Sequence, residues 1–215
     1  MKDLKLGLYI ITGAYPELGR SHLDVARAAL EGGADAIQLR AKDLGGRDML
    51  ELSLRIREMV DRSGKDCLFM VNDRVDVALA AGADGVHLGQ DDLPAADART
   101  LIGGDMILGV SAVTPEMAEK AQDEGADYLG VGPAFPTPTK PDAGIVIGIE
   151  GIQNTSQAVD VPVVAIGGIN QSNAVQVLEA GVDGIAVISA VATAENMLDA
   201  VLRLRRCVDT CLTRR

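Results

Sequence analysis

No stretch of this chain approaches the roughly 20 consecutive apolar residues that a membrane-spanning helix needs. The opening run, 6–11, is cut short by Gly13 and Pro16, too early for a secretory signal, so the sequence reads as cytoplasmic. Cysteine is scarce. Cys67, Cys207 and Cys211 make no disulfide framework, and the i, i+4 pair on the last helix has no histidine beside it to suggest a metal site. Positive charge is short as well: 20 Lys and Arg stand against 31 Asp and Glu, a formal charge of −11. That balance argues against nucleic acid or an anionic membrane as a partner. It also means that an anionic ligand must be held by local cations against the field of the whole molecule. Linkers and low-complexity segments are missing too. With 47% hydrophobic residues, the 215-residue chain reads as one domain over 1–215 with a sizeable core. Its end, 203–215, carries five arginines and reads as a solvated basic helix end rather than a partner site.

What is present is repetition. Glu31-Gly32-Gly33-Ala34-Asp35-Ala36-Ile37, Ala81-Gly82-Ala83-Asp84-Gly85-Val86, Glu124-Gly125-Ala126-Asp127-Tyr128-Leu129 and Ala180-Gly181-Val182-Asp183-Gly184-Ile185 resemble one another. Each follows a helix-period stretch, holds a glycine suited to a helix C-terminus, and leads into an apolar run. The spacing of about 50 residues is that of two βα units. Further apolar runs at 6–11, 67–71, 106–110 and 161–166 bring the strands to eight. Helical segments fall at 21–31, 46–62, 74–81, 94–101, 115–124, 148–158, 171–180 and 194–211. Eight alternating units predict an α/β fold, a single (β/α)8 TIM barrel, rather than an open doubly wound sheet, which needs a reversal of strand order.

Barrel chemistry sits on the loops after the strands. The polar residues collect there: Thr12-Gly13, Gln38 to Lys42, Asn72-Asp73-Arg74, His87 to Asp92, Ser111, the loop 131–141, Gly167-Gly168 and Ile188-Ser189. Gln38, Arg40 and Lys42 are two apart and share a strand face, with Ile37 and Leu39 turned to the helices. An amide, a guanidinium and an ammonium at a barrel mouth suit an anion. Asp73 and Asp92 close neighbouring strands, where two carboxylates beside those cations suit Mg²⁺; helix capping is the competing reading, and Asp91 competes with Asp92. Gly167-Gly168 and Ile188-Ser189 occupy the place where barrel loops bind phosphate through backbone N–H groups, or else form a tight turn. The loop after strand 6 holds four prolines among Thr137, Thr139 and Lys140, a stiff frame for polar groups or simply a rigid turn. His87 reads as a packed or capping residue, or as a hydrogen-bond partner of the site. His22 is given no role.

Taken together, Gln38-Leu39-Arg40-x-Lys42, Val71-Asn72-Asp73-Arg74-Val75-Asp76, Gly85 to Asp92, Gly109-Val110-Ser111, Gly132-Pro133-x-Phe135-Pro136-Thr137-x-Thr139-Lys140 and Ile166-Gly167-Gly168-Ile169 resemble the thiamine phosphate synthase family over nearly the whole chain. The resemblance implies a transferase that joins a pyrimidine methyl diphosphate to a thiazole phosphate, carboxylated or not, and releases diphosphate. It implies that Gln38, Leu39, Arg40, Ala41, Lys42, Asn72, Ser111 and Lys140 meet the pyrimidine diphosphate. Thr137, Pro138, Thr139, Gly168, Ile188 and Ser189 would meet the thiazole phosphate, and Asp73 and Asp92 would hold Mg²⁺. Arg40, Lys42, Lys140 and Ser111 are then the catalytic set, and the partners are small molecules, with a homo-oligomer compatible. Two positions depart from the family pattern. Ala41 stands where glutamate is usual. Val113 stands where a histidine is frequent, the one a related thiazole tautomerase is thought to use. A tautomerase-like isomerase and a non-catalytic phosphate-binding barrel are the alternative readings.

Overall fold

The computed structural model describes residues 4–137 and 145–212. Eight parallel strands pair in chain order, and the first closes on the last. They are β1 (Leu8–Ile11), β2 (Ala36–Leu39), β3 (Leu68–Asn72), β4 (Gly85–Leu88), β5 (Ile107–Ala112), β6 (Tyr128–Val131), β7 (Val163–Ile166) and β8 (Gly184–Val187). Between and after them run α1 (His22–Glu31), α2 (Gly46–Ser63), α3 (Val75–Ala80), α4 (Ala95–Ile102), α5 (Pro115–Asp123), α6 (Gly148–Gln157), α7 (Ala174–Glu179), α8 (Ser189–Ala192) and α9 (Met197–Leu212). This is the (β/α)8 barrel that the alternation predicts. The departure is α8, a four-residue turn opening directly off β8, where the periodicity predicts a single last helix over 194–211. Local signals set several helix starts. Ser21 and Asp24 form a reciprocal capping box on α1, and Thr114 caps α5 ahead of Pro115.

The four repeated junctions are clamps at the barrel base. At each, the aspartate donates its backbone N–H to the carbonyl of a strand residue and accepts that same residue's N–H on its carboxylate. Asp35 holds Leu8 in this way, Asp84 holds Phe69, Asp127 holds Leu108 and Asp183 holds Val163, all at 2.7–2.9 Å. The glycines that let each helix turn into its clamp, Gly33, Gly82, Gly125 and Gly181, all have positive φ. Three clamps carry an arginine: Arg205 on Asp35 at 2.6 Å, Arg57 on Asp84 at 2.7 Å and Arg99 on Asp127 at 2.5 Å. Arg205, expected on a solvated helix end, is therefore a packed ion-pair residue. Its neighbours Leu204 and Val208 are buried, and α9 packs against α1 and α7 in the outer ring of helices.

Two apolar layers follow from strand alternation. Leu8, Ile10, Ile37, Leu39, Phe69 and Val71 face the helices in the larger cluster. Tyr9, Ile11, Ala36, Met70, Ile107, Tyr128, Val164 and Ala186 fill the barrel interior. The interior is thus a packed plug that ends below the mouth, and two of its largest side chains carry hydroxyls.

The clamp has a measurable weight. Asp35→Ala strips Leu8 of its acceptor and leaves Arg205 without its half-buried partner. The expected cost is about 3 kcal/mol in urea unfolding, the usual loss when one member of a buried pair is removed. Glu58→Ala, which breaks the exposed Arg62–Glu58 pair, should cost no more than about 0.5 kcal/mol. Equal losses would show that the clamp aspartates are ordinary surface charges.

Candidate active site

A cavity of about 510 Å³ opens at the C-terminal ends of the strands. Every strand contributes to its wall or rim, through Ile11, Gln38, Asn72, His87, Ser111, Gly130, Ile166 and Ala186 among others. A larger groove of about 990 Å³ lies outside the barrel, against α8 and α9. Size alone would favour the groove. The mouth is the stronger candidate because polar groups from separate strands converge there, as they do in barrel enzymes.

The two acids stand just outside the cavity lining, next to its wall residues Asn72 and Asp91. Asp73 follows β3 in a left-handed conformation (φ +64°), the only positive-φ residue other than glycine among those described. Such a backbone is uncommon and clusters at functional sites. Burial comes first, and the neighbouring Asp92 carboxyl second and third, in pushing the Asp73 carboxyl up to about 6; Lys42, at 3.6 Å, pulls the other way. Asp92 also accepts the Gly89 N–H at 2.7 Å. Neither acid caps a helix: the cap positions of α3 and α4 are Arg74 and Pro94, and neither makes a side-chain cap bond. The capping reading therefore fails. The structure also separates the adjacent acids, since Asp92 meets Asp73 while Asp91 lines the cavity wall. Two half-buried carboxylates in contact repel each other when both are ionised, and a divalent cation relieves that cost. The donor set fits Mg²⁺ with the remaining positions filled by ligand phosphates or water.

The β2 end supplies the cations. Arg40 lines the cavity, and Lys42 reaches Asp73. Gln38 points inward, 2% exposed, and donates to the Tyr9 hydroxyl at 2.9 Å. Leu39 and Ala41 pack in the outer layer against the helices, so their side chains face away from the mouth. Any ligand contact they make is through the backbone, and the missing glutamate at Ala41 lies on the helix side of the strand.

Across the mouth, the loop after β6 sits on the end of β7, with the Ala134 N–H on the Ile166 carbonyl at 2.8 Å and the Phe135 N–H on the Gly167 carbonyl at 3.0 Å. Gly167 and Gly168 have φ of +98° and +65°, and a Cβ on Gly168 would lie 2.7 Å from Phe135 Cβ and from the Pro136 carbonyl oxygen. This crossing of two loops is itself a reason for glycine, whatever binds beyond it. Thr137, Gly168, Ile188 and Ser189 all line the cavity. Pro138, Thr139 and Lys140 lie outside the described residues.

Sequence reasoning gave no role to three groups that the fold brings in. Tyr9 and Tyr128 join hydroxyls at 2.8 Å inside the barrel. The Tyr128 hydroxyl lies 2.9 Å from His87 Nδ1, and His87 Nε2 lies 3.0 Å from Ser111 Oγ. His87 is thus a hydrogen-bond partner of the site rather than a cap. His22 meets Thr12 Oγ1 at 2.9 Å, and Thr12 Oγ1 accepts the Arg40 N–H at 3.3 Å, so His22 braces the β2 end. An apolar strand context hides tyrosines of this kind, because a tyrosine inside a hydrophobic run reads as core.

Fold and rim together define a (β/α)8 barrel with a polar, cation-bearing mouth, the arrangement in which barrel enzymes carry their active sites. The thiamine monophosphate synthase family model matches residues 8–191, and the chain belongs to that family. It is 52% identical over 201 residues to a thiamine-phosphate synthase of Chloroflexus aurantiacus, covering 94% of this chain and 92% of that one. It is 53% identical over 191 residues to that of Archaeoglobus fulgidus, covering 89% and 88%. The solved structure of a thiamine phosphate pyrophosphorylase from Pyrococcus furiosus superposes with a TM-score of 0.88 at 48% identity, over 97% of this chain and 98% of that one. Among the described residues no helix is long and apolar enough to cross a membrane.

The acid pair predicts a pH signature. A native Asp73 that titrates near 6, above the unfolded value of about 3.9, favours folding at low pH. That contribution is lost as pH rises through about 6. Asp73→Asn removes the repulsion and keeps a residue at ease with positive φ. In EDTA at pH 8 its Tm should exceed the parent's by about 2–4 °C, what about 1 kcal/mol produces in a chain of this size. The gain should shrink toward pH 4.5. A gain that does not vary with pH would mean that the two acids are not coupled.

Proposed function

We propose that this chain is a thiamine-phosphate synthase: it joins a pyrimidine methyl diphosphate to a thiazole phosphate and releases diphosphate. The observation that carries the reading is the Asp73–Asp92 carboxyl pair with Lys42 beside it, in a chain of this family. A rim of that kind serves a diphosphate leaving group and has little use in a simple binder.

The bond that breaks joins the pyrimidine methylene carbon to a diphosphate oxygen, which departs with the electron pair. The electron-rich aminopyrimidine stabilises the cation left on carbon. The thiazole nitrogen then supplies the pair for the new C–N bond. That nitrogen carries no proton, so its attack needs no general base. The protein has two tasks: stabilising negative charge as it develops on the diphosphate, and aligning the nucleophile. Arg40, Lys42 and Lys140 serve the first, with Ser111, Gln38 and Asn72 placing the pyrimidine. Asp73 and Asp92 would hold Mg²⁺, which when bound supplies Lewis-acid neutralisation of the leaving diphosphate. Thr137, Thr139, Gly168, Ile188 and Ser189 anchor the thiazole phosphate and serve the second task. Both substrates carry phosphate and do not cross membranes unaided, which fits a reaction in the cytoplasm.

The isomerase alternative needs a group that moves a proton at the thiazole. Val113, which lines the cavity where that group is expected, has none. The relatives at about half identity carry the synthase name, which favours transfer over isomerisation or mere binding.

The test is diphosphate release by the purified protein with each substrate alone and with both, with and without Mg²⁺. Release that requires the thiazole partner supports the synthase, and no release under any condition sinks it. Arg40→Ala and Lys140→Ala should each lower kcat about a hundredfold, the usual loss of one preorganised donor worth about 3 kcal/mol, with Tm unchanged. Near-parent turnover at saturating substrate would remove those roles.

A further inference from the structure

Five side chains form an unbroken path beneath the mouth, from β2 through the barrel centre to β5. Gln38 Nε2 donates to Tyr9, the Tyr9 and Tyr128 hydroxyls meet, Tyr128 meets His87 Nδ1, and His87 Nε2 meets Ser111 Oγ, with every link at 2.8–3.0 Å. The backbone is cut to fit it. A Cβ on Gly109 would clash with the hydroxyl edge of the Tyr128 ring, and one on Gly130 would lie 2.9 Å from His87 Cε1. Glycine at both places lets these two rings stand side by side, their centroids 5.5 Å apart.

The proton order along the path follows from its end. Tyr9 and Tyr128 are 1% exposed, and burial raises both hydroxyls above their ordinary range, so each keeps its single proton. With the Gln38 amide N–H on the Tyr9 oxygen, the Tyr9 proton goes to Tyr128, and the Tyr128 proton goes to His87 Nδ1. A neutral imidazole that accepts at Nδ1 carries its own proton on Nε2. That proton is given to Ser111 Oγ, which must then turn its own proton elsewhere, toward the mouth. In the reverse order Ser111 would donate to His87, and the Tyr9 proton would need the Gln38 amide turned over, with its oxygen on Tyr9 in place of the N–H that is there.

We propose that His87 and Tyr128 are positioning residues: through the path from Gln38 they fix the Ser111 hydroxyl as a hydrogen-bond donor aimed at an acceptor atom of the bound pyrimidine diphosphate. Ser111 touches the ligand, and His87 and Tyr128 act only through Ser111. The choice of ligand rests on the synthase reading, but the proton order does not.

Two measurements test this separately. The first is ¹⁵N NMR of the histidine-labelled full chain, which reports the His87 tautomer without substrate. The Nε2–H form is expected, with a shift toward mixed tautomers in Tyr128→Phe. An Nδ1–H form or an imidazolium in the parent overturns the proton order even if the protein proves to be an active synthase. The second is a double-mutant cycle on kcat. Tyr128→Phe alone should lower kcat about tenfold, the size of effect one hydrogen bond carries. In a Ser111→Ala background it should have no further effect. An independent tenfold loss in both backgrounds would mean that Tyr128 acts on packing, and parent-like kcat in Tyr128→Phe would mean that the path does no positioning. Tm of each variant is read beside kcat, and the parent's diphosphate release shows whether the cycle has an activity to report on.

Discussion

The aspartate clamp at the barrel base is the constraint from which the rest of the structure follows. A parallel barrel has no hairpins to set its register, so each strand must be told where to begin. Here one residue type does this four times, holding both backbone groups of a strand residue on Leu8, Phe69, Leu108 and Val163. A one-residue slip would move every interior side chain to the helix face. With β1, β3, β5 and β7 fixed from below, the intervening strands inherit their register from their neighbours. The upper ends are then free to carry side chains chosen for chemistry rather than for folding.

The two ends treat charge in opposite ways. At the base each carboxylate is satisfied by backbone N–H groups, and three of the four also meet a guanidinium. At the mouth Asp73 and Asp92 face each other, and Lys42 only partly offsets them. Asp73 also sits in a left-handed conformation. Together these features cost stability, which the Gly89 N–H on Asp92 offsets only in part. Strain of this kind persists where a ligand or cation is to be bound, and the contrast with the satisfied base makes the mouth stand out without reference to any relative.

The sequence carried most of this, unevenly. The glycine–aspartate repeats gave the count of units and hence the barrel, because a positive-φ glycine before a strand is a local requirement. They did not reveal the clamp, which joins residues 15 to 27 apart through hydrogen bonds that no periodicity encodes. Alternation placed Gln38 and Arg40 inward and Leu39 outward correctly. It also exposes the limit of listing Leu39 and Ala41 as ligand residues, since their side chains belong to the outer core. Spacing alone left Asp91 and Asp92 open and the family resemblance pointed to Asp92; of the two, it is Asp92 that meets Asp73. Arg205 was misread because five arginines at a chain end look like a solvated tail, and composition does not say which face of a helix is packed. The tyrosine–histidine path was invisible for a related reason: Tyr9 and Tyr128 lie in apolar runs, and only the closed barrel brings residues 119 apart into hydrogen-bond contact.

A chain of formal charge −11 that is to gather two phosphorylated substrates poses an electrostatic question. The answer is distance. At physiological ionic strength charges are screened over about 8 Å, so acids on the helix ring contribute little at the mouth. Several of those acids are already neutralised in pairs such as Arg57–Asp61 and Arg205–Asp209. Arg40 lines the mouth itself, where a cation acts on a bound anion at short range, and Lys42 stands beside it on Asp73. The acid pair beside them is relieved by a proton on Asp73, and the proposed Mg²⁺ would relieve it while drawing the anion in. On the proposed reading, anion binding and cation binding at this rim are one problem with one solution.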